Sequence, residues 1–225
     1  MFCSGSERKM PWTGAMSTEE VLNATEKYDK FMNRCWYAVA GNILAKGMDG
    51  FWEINWWDGL AREGKCVFTN QTVTRVNGKE DVSPVWLGHV VDGVLSYTMR
   101  AKLCGMTLPM SEVTYEWLSF PKNDSYTEFW CVAAMAPMIG PIVMVFCLDP
   151  HVKSEKVDAF IETLKTKHGV AFTDKFNRVA YPADFTPGSM GEFAFNKKGG
   201  KPTIDHAKNA YATQVLATPY PPPQK

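Results

Sequence analysis

The chain has no excess of charge: its 225 residues carry 24 Lys and Arg against 24 Asp and Glu, for a formal net charge of zero. Without a basic surplus there is no electrostatic footprint for a polyphosphate, and nucleic acid is not an expected partner. Histidine is scarce, and His89, His151, His168 and His206 stand far apart at no metal-ligand spacing, so no metal site is expected. There is no G-x-S-x-G elbow and no glycine-rich phosphate loop. No apolar run reaches the ~18 residues of a membrane span. The longest candidate, Pro137 to Leu148, is interrupted by Gly140 and Pro141. The opening residues, Met1 to Arg8, hold no apolar signal-peptide centre.

What is present is more telling. Six cysteines (Cys3, Cys35, Cys66, Cys104, Cys131, Cys147) occur with no C-x-x-C pair, a pattern that suits disulfides better than zinc and leaves their pairing open. Three glycosylation sequons, at Asn23, Asn70 and Asn123, point the same way. Together they favour a secreted, disulfide-bonded glycoprotein, or one in another oxidising compartment, whose leader has been removed. Eight Trp and thirteen Phe in a chain of this size suggest a ring-lined interior or a covered apolar surface, although an ordinary aromatic core would also account for them.

The chain divides into a lead-in over residues 1–24, a folded domain over 25–180, and a Pro- and Gly-punctuated tail over 181–225. Within the domain the periods are those of strands. Val113, Tyr115 and Trp117 share one face of an alternating run, with Glu112, Thr114 and Glu116 on the other. Val67 to Val76 is rich in Thr and Val and ends at Asn77-Gly78, a tight-turn signal. Val94 to Ala101 alternates, while Tyr126 to Met135 and Ile142 to Leu148 are apolar on both faces, as strands covered on both sides are. From Ser154, taken as N-cap, Val157, Phe160, Ile161 and Leu164 fall at helical spacing up to Gly169. This predicts a helix over about 154–168, laid against the outside of the strands.

In that order the residues resemble the lipocalin family. Tyr28 to Ala40, with Trp36-Tyr37 at its centre, looks like the family's first signature, although Arg34 stands where Gly is usual. Asn123-Asp124-Ser125-Tyr126 resembles the second. Val145 to Pro150 resembles the third, with Leu148 where the family commonly has Arg. The resemblance covers roughly residues 25–175. It implies an all-β, eight-stranded antiparallel up-and-down barrel with a C-terminal helix packed outside, just wide enough for one small ligand. The family's register implies that Trp36 points inward, with Trp130, Val132 and Ala134 on one strand and Ile142, Met144 and Phe146 on the next. Val113, Tyr115 and Trp117 would join this lining, and Met99, Met135, Met138 and Met144 would soften it.

The resemblance also implies that the segment Asp49 to Gly59, which holds Phe51, Trp52, Trp56 and Trp57, is a loop over the barrel mouth. Its rings would form a lid on the ligand, or else plug the barrel or dock a partner. The expected ligand-binding residues are therefore Trp36, Phe51, Trp52, Val113, Tyr115, Trp117, Trp130, Val132, Ile142, Met144 and Phe146. The expected cargo is a small apolar molecule such as a carotenoid or other pigment, a retinoid, a fatty acid or a sterol, with no cofactor required. Cys131 and Cys147, on neighbouring strands, read as a bridge or as buried thiols before a nucleophile.

Two alternatives stay open. The chain is also distantly similar to the lipocalin domain of violaxanthin de-epoxidase, which implies a carotenoid-modifying enzyme of a plastid or thylakoid lumen. Asp49 and Glu53 are the carboxylates available for such acid–base work. Alternatively the barrel is a docking module whose tail, residues 181–225 with Phe193, Phe195, Tyr211, Val215, Leu216 and Tyr220, binds a protein partner or the barrel itself.

Overall fold

The computed structural model describes residues 10–17, 19–21, 34–57, 67–82, 86–91, 94–98, 100–103, 106–109, 113–121, 128–136 and 139–185. Among these residues the elements are strands, one long helix and a 3-10 turn at Thr173–Lys175. In chain order the strands are β1 (Arg34–Gly41), β2 (Met48–Trp57), β3 (Val67–Val76), β4 (Lys79–Val82), β5 (Trp86–Val91) and β6 (Val94–Thr98). They continue with β7 (Arg100–Leu103), β8 (Met106–Pro109), β9 (Val113–Ser119), β10 (Phe129–Ala136) and β11 (Gly140–Cys147). Helix α1 (Ser154–His168) and the short β12 (Asn177–Arg178) follow.

Among the described residues the strand pairings are all antiparallel. The main sheet runs β11-β10-β9-β6-β5-β3-β2-β1-β12, with β4 against β3, while β7 and β8 pair separately. β1 also pairs with β11, from Tyr37 opposite Cys147 to Gly41 opposite Met144, so the path returns to its start. The Asn77-Gly78 signal is realised in a turn between β3 and β4, where both residues adopt positive φ, 53° and 74°.

Alternation explains why β10 and β11 are apolar on both faces. Trp130, Val132, Ala134, Ile142, Met144 and Phe146 join Trp36, Ala38 and Trp117 in an inner cluster. The intervening Phe129, Cys131, Ala133, Val143, Val145 and Cys147 lie in an outer cluster with Val157, Phe160 and Leu164 of α1. Phe129 and Phe160 have ring centroids 4.8 Å apart. Each side chain at full burial contributes about 1.5–3 kcal/mol, so the helix is held by its packing face more than by intrinsic propensity. Met135 packs with this outer cluster. It is odd where the inward residues of β10 are even, which removes it from the expected lining.

The helix ends as its sequence predicts. Gly169 takes φ 68°, and the Val170 N–H donates to Leu164 O at 3.1 Å. Its start differs by one residue, because Lys153 is the N-cap and makes no side-chain cap bond, while Ser154 is the first helical residue.

Described residues on either side of 25–180 also pack against the sheet, among them residues 10–17 and 19–21. Trp12 is buried and donates from Nε1 to Glu116 Oε2 at 2.5 Å, and Thr13 N–H donates to His168 O at 2.9 Å. Met16 N–H donates to Trp117 O at 2.7 Å. Ser17 and Glu20 exchange bonds as a capping box, and Val21 enters the inner cluster.

At the other terminus the packed region runs past residue 180. The β1–β2 pairing stops at Tyr37 opposite Trp52, and beyond it β12 takes β2's place beside Ala40 and Gly41. Tyr181 fills the parting: its hydroxyl reaches Ala38 O at 3.0 Å and Phe51 O, and accepts from Phe51 N–H at 3.4 Å. Burial pushes its phenol far above the ordinary tyrosine range. Tyr181→Phe would strand these backbone groups, so we expect a loss of about 1–3 kcal/mol, read by urea denaturation. Phe193, Phe195, Tyr211, Val215, Leu216 and Tyr220 lie outside the described residues.

Of the two readings of Cys131 and Cys147, a bridge or buried thiols, the structure has the second. Cys131 and Cys147 are both buried and both free, not bridged. They face α1 from adjacent strands but are offset by two positions, since Cys131 pairs with Val145 and Phe129 pairs with Cys147. Burial drives the Cys131 thiol well above its ordinary range and pushes Cys147 up to about 11, against a weak lowering bond from Asp149 N–H. The thiolate is the reactive form. Iodoacetamide should therefore leave both residues unlabelled in the native protein and label both after unfolding, as read by peptide mass mapping. The remaining cysteine side chains lie outside the described residues.

Candidate functional site

A cavity of about 250 Å³ lies on the inner face of the main sheet. One wall comes from β10 and β11, where Trp130 and Val132 stand beside Met144 and Phe146. The inward parity of two paired strands, with Trp130 opposite Phe146 and Val132 opposite Met144, aligns these four. Gly41 makes room for this wall: a Cβ there would meet Met144 Sδ at 2.6 Å and Val143 O at 2.9 Å. Ile43, which is 44% exposed, also lines the cavity, so the cavity reaches the surface beside the β1–β2 connection.

The opposite wall comes from β2 and β3. Phe51 and Glu53 point inward from β2, and Asn70 and Thr72 from β3. Glu53 is directly opposite Thr72 in the register. Tyr115 completes the lining from β9. Its phenol is pushed up to about 12, first by burial and second by the charge of Glu53, so it is a neutral hydrogen-bonding group at physiological pH.

Beneath Trp130 the interior is filled by rings. Trp130 lies 5.5 Å from Trp36, 5.3 Å from Trp117 and 4.9 Å from Phe146, centroid to centroid. Phe120 packs on Trp36 and Trp117 at 5.8 and 5.1 Å. Trp130 thus separates the open volume from a solid aromatic floor.

The expected site residues can now be placed. Phe51, Tyr115, Trp130, Val132, Met144 and Phe146 come together around the cavity. Trp36, Trp117 and Ile142 belong to the same inner cluster but do not line the cavity. The side chain of Val113 lies outside the described ones. Trp52 is a correction. The segment read as a mouth loop is strand β2, in which Phe51 and Glu53 face inward and Trp52 therefore faces outward. Trp52 is fully buried there against Phe185, at 5.2 Å, and Tyr37 is covered by the same ring at 5.7 Å. β-alternation thus puts Phe51 on the cavity wall and Trp52 on the other face, while the side chains of Trp56 and Trp57 lie outside the described ones.

The two carboxylates also separate. Glu53 is on the cavity wall, whereas Asp49 accepts from Gly78 N–H at 2.8 Å and pairs with Arg75 at 3.5 Å, supporting the β3–β4 hairpin. Asn70 and Thr72 were not anticipated as lining. Thr alternation along β3 could have placed Thr72, but Asn70 read instead as a sequon. It is 3% exposed, on the cavity wall. His151 and His168 serve as tethers, to Phe185 O at 2.8 Å and to Thr13 O at 2.9 Å.

No family model matches the chain, and no curated protein matches it. Among solved structures, insecticyanin from the tobacco hornworm Manduca sexta is similar at 11% identity, over 69% of this chain and 82% of that one, with a TM-score of 0.46. Lobster apocrustacyanin A1 is similar at 12% identity, over 80% and 94%, with a TM-score of 0.45. Apocrustacyanin C2 is similar at 13% identity, over 77% and 91%, with a TM-score of 0.46.

Proposed function

We propose that this chain is a divergent lipocalin-type barrel that binds and carries one small, mainly apolar molecule without transforming it. The observation that carries this reading is the cavity itself, an open interior volume lined by stacked aromatic and aliphatic side chains where a barrel of this size could have been filled. Eight strands, β1, β2, β3, β5, β6, β9, β10 and β11, account for the returning path of pairings, and this supports the up-and-down barrel. The helix after the last long strand, packed outside, supports it further.

A pigment, retinoid, fatty acid or sterol suits such a lining in kind. The volume favours compact ligands, since it falls just below the ~300–1,000 Å³ of pockets that enclose drug-sized molecules. The separation of Asp49 from Glu53 argues against paired-carboxylate chemistry of the violaxanthin de-epoxidase type. Docking through the tail beyond Phe185 is compatible with carriage. Secretion fits a carrier of this kind.

The test is a titration of the full chain with N-phenyl-1-naphthylamine, a neutral fluorophore of apolar sites. One site per chain with micromolar affinity and a blue-shifted emission is the expected result. A weak, unsaturable signal would count against an interior site.

A further inference from the structure

Exposed aliphatic side chains scattered singly over a surface are ordinary. Here they are gathered. Among the described residues three large apolar side chains are exposed: Ile43 at 44%, Val76 at 41% and Ile139 at 69%. Ile43 follows β1, Val76 closes β3, and Ile139 follows β10. β1 and β3 both run antiparallel to β2, and β1 and β10 both run antiparallel to β11. The three strands therefore share one direction, and the three side chains stand at one end of the sheet. The cavity reaches the surface at that same end, because Ile43 also lines it.

The form of this end bears on its partner. The three side chains belong to separate connections, so a rigid protein would need three matched pockets to receive them. The fluid boundary of a bilayer accepts apolar side chains at any spacing. Exposed Lys46 and Lys79 stand in or beside two of these connections, and Arg75 and Asp49 close by are paired with each other at 3.5 Å. Lysine beside apolar side chains suits the headgroup layer. Glu80 and Asp81 follow on β4, so burial of the aliphatic tips, more than net charge, supplies the attraction.

We propose that this end of the barrel rests on a phospholipid bilayer, with Ile43, Val76 and Ile139 inserted at the headgroup boundary, and that the apolar ligand passes between cavity and bilayer there. Such a route spares the ligand a crossing of water. The passage of ligand rests on the carrier reading above, while the contact surface does not.

Co-sedimentation of the full chain with sucrose-loaded vesicles of phosphatidylcholine and phosphatidylglycerol tests the contact. Saturable binding at about 0.1 M salt that persists at about 0.5 M is expected, since salt screens charges and leaves apolar insertion in place. Ile139→Asp should weaken it at least about tenfold. Lys165→Ala, an equal change of charge at an exposed position of α1, should stay within about twofold of the parent. Ile139 does not line the cavity, so Ile139→Asp should bind N-phenyl-1-naphthylamine as the parent does when no vesicles are present. Should that variant not fold, Val76→Ser is expected to weaken vesicle binding about threefold or more.

Binding lost at about 0.5 M salt, or unchanged by these substitutions, would overturn the proposal. So would a dimer in vesicle-free solution that Ile139→Asp dissociates, with no vesicle binding, which would make this end a contact between copies of the chain. Absence of vesicle binding while N-phenyl-1-naphthylamine still binds would remove the bilayer contact and leave the carrier reading standing. Vesicle binding without uptake of the fluorophore would remove the carrier reading and the ligand passage together, and support the contact alone.

Discussion

Val132→Trp is expected to abolish binding of small apolar ligands while leaving the fold in place. Val132 lies on β10, paired with Met144 on one side and Trp117 on the other, and its side chain faces the cavity. Placing a larger side chain in a packed core usually costs about 1–3 kcal/mol, because neighbours must leave their rotamers. Here the indole has about 250 Å³ of free volume to enter, so that strain is mostly avoided. The same volume is then lost to a ligand. Affinity for N-phenyl-1-naphthylamine should fall at least about 100-fold, or about 2.7 kcal/mol. The melting temperature should stay within a few degrees of the parent. A fluorescence titration and a thermal melt on one preparation check both halves. Retained affinity would place the bound molecule elsewhere.

Trp130→Ala should act in the opposite way, on stability first. Trp130 touches Trp36, Trp117 and Phe146 and is nearly inaccessible. Removing such a ring from a core typically costs about 3–5 kcal/mol, through lost transfer energy and the hole left behind. That is a large share of the roughly 5–15 kcal/mol that holds a domain together. The floor would also open into the cavity, so any surviving ligand binding should lose its size selectivity. Chemical denaturation gives the first quantity. Ile43→Ala is the control at the surface end of the same cavity and should cost less than about 1 kcal/mol, since Ile43 is already partly solvated.

The sequence was most legible where periodicity is strict. The helix from Ser154 to His168 and the Asn77-Gly78 turn follow from spacing and turn chemistry alone, whereas the inward set on β10 and β11, strands apolar on both faces, follows only from the lipocalin resemblance. Trp52 and Met135 show where such reading runs out. Both are large and apolar, and composition says only that they are buried, not on which face. Parity within one continuous strand decides that. For β2 it applies only because the segment is a strand, Met48–Trp57, and not the loop that the resemblance implies.

The polar wall was hidden for a different reason. Asn70 and Thr72 sit on β3 and Glu53 on β2, and only the register that sets Glu53 against Thr72 brings them to one side. In the sequence Glu53 reads only as a carboxylate near Asp49. Tyr181, which closes the parting between β1 and β2 from over a hundred residues away, carried no local signal at all.

The most direct test of the carrier account is native mass spectrometry of the protein purified from its source, with an absorption spectrum of the same sample. The account predicts one adduct of a few hundred daltons per chain, lost on denaturation and excluded by Val132→Trp. An empty chain that also fails to take up N-phenyl-1-naphthylamine would contradict it.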